Sequence, residues 1–389
     1  MSKKTDVIIT GVGQIPVGEN WEISLRSMAT IAMRAAIEDA DQLKPQALYV
    51  GNMLASTLSR QAHLGALLAD YSGLTGIEAE SLEAGGASGG AALRQGYLAV
   101  ASGLVDVVLV VGVEKFTDTV GPDVESALAT LADADNESIH GLTSIAQAAL
   151  LAQRYLHEYQ IPADGLGGFS LIAHANAKGN PNALFRNAIT LDDYQRADPV
   201  CDPLKLFDVA PFADGAAALI LTRRELLPKG YRYPTVHVTA STIASDTLSL
   251  ADRADPLWFT AAQTSVEQAY LKAGITSHQV DLFEYHDAFS VFAALSLEAA
   301  GFASRGTSWQ LAADGSLALT GQVPCATMGG LKARGNPGGA TGIYQAVEAT
   351  IQLRGQAGTN QIADAKIALI QSLGGPASVA VTHILAREE

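Results

Sequence analysis

The sequence is poor in cysteine and in charge, and it has no long hydrophobic run. Its two cysteines, Cys201 and Cys325, allow one disulfide at most, and no Cys/His cluster has the spacing of zinc ligands. We therefore predict no metal site in this chain, so any metal would come from a partner. No apolar run approaches the roughly 18 residues of a membrane-spanning helix, and the polar N-terminus contains no signal-peptide core. These absences predict a cytoplasmic protein without a membrane span.

Basic residues are also scarce. The chain has 25 Lys and Arg residues against 40 Asp and Glu residues, which gives a net charge of −15. Nucleic acid and anionic membranes need a basic patch on their partner, so neither is expected to bind. A phosphorylated small ligand remains compatible with this charge because backbone N–H groups or a local basic residue can hold it.

What the chain does have is a high apolar content, 48%, and a regular alternation of short β-rich runs with Ala-rich windows. This pattern predicts an α/β protein with a mostly parallel sheet. The predicted strands are Val7–Val12, Leu48–Val50, Val105–Val111, Ala216–Thr222, Thr235–Ala240, Val280–Tyr285, Lys366–Gln371 and Ser378–Leu385. The predicted helices are Leu25–Ala40, Ala87–Ser102, Ile145–Glu158, Phe259–Ala273, Phe289–Glu298 and Ala340–Leu353.

A weak internal repeat relates the two ends of the chain. Each end has a Gly-rich turn (85–90 and 335–342), and each turn is followed by an Ala-rich helix, a strand and a final β-rich run. Because four elements recur in one order, we predict two halves of common ancestry, residues 1–233 and 234–389. Residues of about 114–210 interrupt the first half and are predicted to form a loop domain over a site.

The first Gly-rich turn reads Glu83-Ala-Gly-Gly-Ala-Ser-Gly-Gly90. A turn between a strand and a helix aims backbone N–H groups into a cleft at the positive end of the helix dipole. The layout is that of a nucleophile elbow, but the residue at its tip, Gly86, has no side chain. Ser88 and Gly89 of the same turn are predicted to contact the substrate.

Three later segments carry the other candidate residues. The strand Val280–Tyr285 runs into His286 and Asp287 at its carboxyl end, where open α/β sheets place ligands. Residues 329–342 are so rich in glycine that their backbone must pass close to something. Residues 371–378 form another strand-end turn, in which Ser372 is predicted to face the cleft and Gly374 and Gly375 to contact the substrate.

Taken together and in this order, these segments resemble the thiolase superfamily, particularly its sterol-carrier-like and archaeal-type thiolases. Residues 202–208, 214–218 and 330–335 look like the same branch, and the resemblance covers nearly the whole chain. It implies a five-layered αβαβα thiolase fold of two similar halves, and a homodimer or tetramer. It also implies acyl-CoA thioesters as substrate or ligand, with no tightly bound cofactor.

The sequence departs from that family where the family has its reactive groups. Gly86 stands at the place of the nucleophilic cysteine, and Asn336 stands at the place of the histidine in the Gly-His-Pro motif. Ser372 takes the place of an acid/base cysteine. Neither Cys201 nor Cys325 is a convincing replacement, so the resemblance implies no chemistry through a cysteine thioester.

Hydrogen-bond donors remain where the nucleophiles are missing. His286 and Asn336 can stabilise an enolate or a thioester oxygen, which suits aldol cleavage of a β-hydroxyacyl-CoA better than Claisen chemistry. The thiolase-like aldolases of this superfamily commonly work with a zinc-ribbon and OB-fold partner protein. His286 is the first candidate for the general base. Tyr285 and Tyr344 follow, although Tyr344 fits a packed helix tyrosine equally well. Tyr285 is also predicted to contact the substrate.

Two alternatives stay open. The chain could be an inactive acyl-CoA-binding or scaffold subunit of a multienzyme complex. It could also be an ordinary acetyl-CoA C-acyltransferase if Gly86 is not the native residue.

Overall fold

The computed structural model describes residues 6–388, and its main feature is a nine-stranded mixed sheet. The sheet order is β3-β2-β4-β7-β1-β8-β11-β10-β9, and β5 pairs separately with β6. The strands are β1 (Val7–Gln14), β2 (Ala47–Gly51), β3 (Glu78–Leu82), β4 (Val107–Glu114), β5 (Pro199–Cys201), β6 (Leu204–Lys205), β7 (Gly215–Arg223), β8 (Thr235–Ser245), β9 (Leu282–Glu284), β10 (Ile367–Gly374) and β11 (Val379–Glu388).

The α-helices include all six that the sequence predicts and several short ones in the connections. They are α1 (Leu25–Asp39), α2 (Ala55–Leu58), α3 (Leu64–Tyr71), α4 (Ser88–Ser102), α5 (Gly121–Ala129), α6 (Ser144–Glu158), α7 (Gly167–Ala177), α8 (Leu191–Arg196), α9 (Thr260–Ala273), α10 (Ser290–Ala299), α11 (Ser308–Ala313) and α12 (Thr341–Leu353). No helix that the structure describes is long and apolar enough to cross a membrane.

The sheet shows the predicted duplication directly. The order β2-β4-β7-β1 in the first half is repeated as β9-β10-β11-β8 in the second half, and β3 alone has no counterpart. The two halves meet at the antiparallel pair of β1 and β8, through Ile8 with His237 and Ile9 with Val236. Two similar halves are therefore present.

Helices complete five layers. Helix α1 packs on β1, β4 and β7 of the first half, and α9 packs on β8 and β11 of the second half. Helices α4 and α12 contact each other and strands of both halves, so they form the central layer. Their close approach depends on glycine: a Cβ added at Gly89 would lie 2.8 Å from the carbonyl oxygen of Gly339. The predicted αβαβα thiolase fold is confirmed.

The prediction of a mostly parallel sheet is wrong. Of the eight strand pairs in the nine-stranded sheet, five are antiparallel and three are parallel. The four-residue turn 375–378 joins β10 to β11 as a hairpin, which forces an antiparallel pair. The strand β3 escaped prediction because its residues Glu-Ala-Glu-Ser-Leu are mostly polar and exposed at the sheet edge.

The insertion after β4 holds α5 to α8 and the small β5–β6 hairpin. Its helices α6 and α7 pack on α10 of the second half, so the insertion bridges the two halves. The predicted boundary between residues 233 and 234 falls in the connection from β7 to β8, and we propose the division of the chain there.

Candidate active site

A narrow cavity of about 70 Å³ lies between the two halves and the insertion. Gly86, His286 and Asn336 form one wall, and these are the predicted site residues from three separate segments. The insertion also lines the cavity, through apolar residues of α5 and its following loop and through residues of α6. The predicted loop domain therefore does cover the cavity.

His286 follows β9 and is buried beside Gly86. A Cβ added at Gly86 would lie 3.0 Å from Cε1 and 3.4 Å from Nε2 of the imidazole, and Nδ1 has no partner among the described residues. Burial, together with the nearby positive charge of Arg334, lowers the pKa of His286 to about 3. The imidazole is therefore neutral at physiological pH and is suited to donate a hydrogen bond. The prediction of a general base with a near-neutral pKa does not hold, because the desolvated site disfavours the imidazolium.

Asn336 lies in the second glycine turn, residues 335–340, which leads into α12. Its Oδ1 accepts from the backbone N–H of Gly338 at 3.1 Å and from the hydroxyl of Thr341 at 3.3 Å. With the oxygen engaged, the NH₂ group is left for the cavity that Asn336 lines. This geometry is compatible with the oxyanion-type donor that the sequence predicts, and that role stays a prediction.

The first glycine turn, residues 84–87, is fixed by Ser88. The hydroxyl of Ser88 donates to the carbonyl of Gly85 at 2.6 Å and accepts from the N–H of Ala84 at 2.9 Å. Ser88 and Gly89 are absent from the cavity wall and serve the turn and the packing of helix α4. A Cβ added at Gly86 would lie 2.7 Å from the carbonyl oxygen of Leu373, so this tip has almost no room for a side chain.

Ser372 is not on the cavity wall, which corrects the prediction. Its Oγ would lie 2.6 Å from a Cβ added at Gly90 and 2.8 Å from one at Gly342. The side chain therefore points between α4 and α12. Successive residues of a strand face opposite sides, so the next residue, Leu373, lines the cavity in its place.

The two tyrosines proposed as bases are structural. Tyr344 donates to the carbonyl of Ile15 at 2.8 Å and accepts from the N–H of Ala216 at 2.9 Å, which consumes its hydroxyl. Tyr285 is buried against Phe283, with ring centroids 5.6 Å apart, and burial raises its pKa well above the usual value. Neither tyrosine lines the cavity.

A second, more open cavity of about 450 Å³ adjoins the first and shares Met53, Leu131, Ala132 and Gly375 with it. Gly374 lies on the wall of the second cavity. Gly375 therefore lies where the two cavities meet and Gly374 beside it, and their contact with a substrate stays a prediction.

The glycine-dense segment before Asn336 does pass close to another group, namely Asp287. The backbone N–H of Leu331 donates to Asp287 Oδ1 at 2.7 Å, and a Cβ added at Gly330 would lie 2.4 Å from Oδ2. Asp287 thus holds the segment that carries Asn336 and is not on the cavity wall.

Glu114 is a site residue that the sequence analysis missed. Its buried carboxylate accepts from the N–H groups of Met53, Leu54 and Gly339 and from the amide of Asn52. Burial raises its pKa to about 7 against these four donors. Glu114 ties together two segments that line the cavity, and its place at the end of an all-apolar strand was a signal for such a role.

Neither cysteine lines the cavity. Cys325 lies in the hydrophobic core, and its backbone forms an isolated β-bridge with that of Phe283, which fits a packing role. Gln147 and Ser144 of α6 do line it, and nothing in the amphipathic pattern of that helix distinguished them in advance.

Comparison with known proteins identifies the family. Residues 7–225 match the thiolase N-terminal domain, and residues 242–387 match the thiolase C-terminal domain-like family. The chain belongs to the thiolase superfamily.

Two relatives and one solved structure place this thiolase-superfamily member more narrowly. It is 41% identical over 384 residues to a protein named acetyl-CoA acetyltransferase from Methanothermobacter thermautotrophicus, covering 98% of this chain and 100% of that protein. It is 37% identical to a protein of the same name from Methanocaldococcus jannaschii, with 98% of both chains covered. The solved structure titled Ltp2-ChsH2(DUF35) aldolase superposes with a TM-score of 0.83 at 25% identity, over 99% of this chain and 98% of that one.

Proposed function

We propose that this protein binds acyl-CoA thioesters in the cavity and makes or breaks a carbon–carbon bond in them without a cysteine acyl-enzyme. The reaction that fits is aldol cleavage of a β-hydroxyacyl-CoA, or its reverse. The observation that carries the proposal is the wall of Gly86, His286 and Asn336, which offers two neutral donors and no nucleophile. The relatives named acetyl-CoA acetyltransferase support the ligand class, and the aldolase structure supports the reaction class.

In this reaction the residues of the wall would stabilise the enolate oxygen. In aldol cleavage the β-hydroxyl loses its proton, the bond between Cα and Cβ breaks, and the electron pair moves onto the thioester oxygen as an enolate. The enolate then takes a proton at Cα, which leaves a carbonyl product and a shortened acyl-CoA. Donors from His286 Nε2 and Asn336 Nδ2 would stabilise the enolate oxygen, and a desolvated site makes such hydrogen bonds stronger.

The same wall lacks a proton acceptor of its own. Within residues 6–388, no carboxylate, tyrosine or amine lines the cavity, and His286 is a weak base there. We propose that the β-hydroxyl proton passes to water or to a group of a partner protein. A zinc-ribbon and OB-fold partner is the candidate, and the aldolase of similar fold is named as a protein of two components, Ltp2 and ChsH2(DUF35). A homodimer or tetramer of this chain is part of the same proposal.

The experiment incubates the purified chain with a panel of β-hydroxyacyl-CoA esters, alone and with a zinc-ribbon and OB-fold partner protein. We expect a released aldehyde or ketone together with a shortened acyl-CoA. No carbonyl product across the panel, with the partner present, would contradict the proposal.

A second candidate is an acyl-CoA-binding subunit without catalysis, and the missing proton acceptor favours it. This function predicts saturable binding of acyl-CoA esters with no turnover in any combination of partner and substrate. A reaction that His286→Ala abolishes would exclude this candidate.

The third candidate, an ordinary acetyltransferase altered at Gly86, fits the structure poorly. A side chain there would press on the carbonyl of Leu373, and Asn336 cannot take up a proton as the family histidine does. We expect Gly86→Cys alone to give no thiolysis of acetoacetyl-CoA. Recovery of thiolysis by that single substitution would support the acetyltransferase instead.

A further inference from the structure

The insertion contributes two polar side chains to a part of the cavity lining that is otherwise largely apolar. Gln147 and Ser144, one turn apart on α6, both line the cavity. Gln147 is 4% exposed, and Ser144 Oγ is buried without a partner among the described residues. A buried polar group without a partner costs free energy, so a ligand that satisfies it gains affinity.

The orientation of the Gln147 amide is fixed by Glu137. The carboxylate of Glu137 accepts from the backbone N–H of Leu250 at 2.9 Å and from that of Asp133 at 3.1 Å. Glu137 therefore acts as an acceptor, and Gln147 Nε2 donates a hydrogen bond to it at 3.0 Å. The remaining terminal atom of Gln147, Oε1, accepts no hydrogen bond from residues 6–388 and can only act as an acceptor.

These two groups select the chemistry of a ligand. A hydroxyl carries both the hydrogen-bond donor that Gln147 Oε1 requires and an acceptor for Ser144 Oγ. A keto oxygen cannot donate, so it would face the amide oxygen without a hydrogen bond. A carboxylate would in addition be repelled by the charge of Glu137 behind the amide.

We propose that Gln147 and Ser144 recognise the β-hydroxyl of the acyl group, which makes the preferred ligand a 3-hydroxyacyl-CoA and disfavours its 3-keto counterpart. This inference rests on the proposed function, because it assumes that an acyl-CoA occupies the cavity. Gln147 and Ser144 act as specificity-determining residues here, since neither can remove the hydroxyl proton.

The test compares equilibrium binding of three esters of one chain length: 3-hydroxyacyl-CoA, 3-ketoacyl-CoA and saturated acyl-CoA. For the unaltered protein we expect the 3-hydroxy ester to bind roughly tenfold more tightly than the 3-keto ester. Gln147→Met, an apolar replacement of similar length, should bring the two within about twofold, and Ser144→Ala should reduce the ratio partway.

Binding of the saturated ester serves as the folding control, and Leu131→Met changes the same wall without touching a polar group. Equal affinity for the hydroxy and keto esters in the unaltered protein would overturn the inference and leave the proposed function standing, as long as saturated acyl-CoA binds. A hydroxyl preference that survives Gln147→Met would also overturn it. Failure of every acyl-CoA ester to bind would instead reject the proposed function itself.

Discussion

The two glycine turns occupy equivalent places in the two halves, each ahead of a central helix, yet they use their polar residue differently. Both hydrogen bonds of the Ser88 hydroxyl are made within the first turn. Asn336 fixes the second turn with its amide oxygen alone and keeps an NH₂ group for the cavity. A side chain with both an acceptor and a donor, such as an amide, can therefore hold a turn and still offer a hydrogen bond to a ligand. We therefore propose that the second turn carries the oxyanion donor, whereas Ser88 of the first turn has a structural role.

The largest effect should come from Asn336→Asp, which separates the two tasks of this side chain. An aspartate keeps an oxygen for Gly338 and Thr341 but turns an acceptor instead of a donor toward the cavity. We expect kcat/KM for 3-hydroxyacyl-CoA cleavage to fall by about 100-fold, as for the loss of one oxyanion donor. Asn336→Ala is the matched variant and should lower stability as well. Turnover of Asn336→Asp close to that of the unaltered protein would remove the donor role.

Glu114→Gln tests the support of the second turn from the first half. Both oxygens of Glu114 accept only from N–H donors, so the NH₂ of a glutamine would meet another donor whichever way it turns. We expect the free energy of unfolding in urea to drop by about 1–3 kcal/mol, with weaker acyl-CoA binding. Glu80→Gln on the exposed edge strand is the control and should change neither quantity. Unchanged stability of Glu114→Gln would refute this network.

The low pKa of His286, beside the first turn, should make the free energy of unfolding depend on pH. Its pKa of about 3 lies below the unfolded value of 6.5, so between these pH values the unfolded state binds the extra proton and stability falls as pH falls. His383 has a pKa of about 3 as well and behaves alike.

Each histidine contributes a slope of up to about 1.4 kcal/mol per pH unit near pH 5. His286→Gln should remove one such contribution from urea-unfolding curves measured between pH 4 and 6.5, a window set by these pKa values. His383→Gln should do the same without affecting ligand binding. A slope that His286→Gln leaves intact would show that the imidazole is charged in the folded protein.

Ser88→Ala should give the smallest effect. The N–H of Ala84 and the carbonyl of Gly85 would lose a partner, at a cost of about 1 kcal/mol in the free energy of unfolding. Turnover should stay unchanged because Ser88 does not line the cavity. Ser102→Ala at the exposed end of α4 is the control. A large loss of turnover with normal stability would move a functional role back to the first turn.

The strands and helices with a clear local hydrophobic pattern were the predictable part of the fold. All eight predicted strands and six predicted helices occur, because their apolar periodicity coincides with burial in the layers. The parallel sheet was wrong because alternation of strands and helices does not reveal a hairpin such as β10–β11. The polar edge strand β3 carries no apolar run from which to recognise it.

The site divides in a similar way. Gly86, His286 and Asn336 were predictable because each lies at a strand end or a glycine turn, where backbone geometry points to a cleft. Ser372 and Tyr344 share those neighbourhoods but face the central helices, and the direction of a side chain depends on packing across distant segments. Gln147 owes its orientation to Glu137, a contact that no sequence spacing reveals.

Catalysis without a cysteine acyl-enzyme is tested by mass spectrometry of the intact protein while it turns over a 3-hydroxyacyl-CoA with a zinc-ribbon and OB-fold partner present. We expect release of the carbonyl product and the shortened acyl-CoA while the chain keeps its unmodified mass throughout. An acyl adduct that forms on the chain and disappears as product accumulates would contradict it, because that result would show a covalent acyl-enzyme.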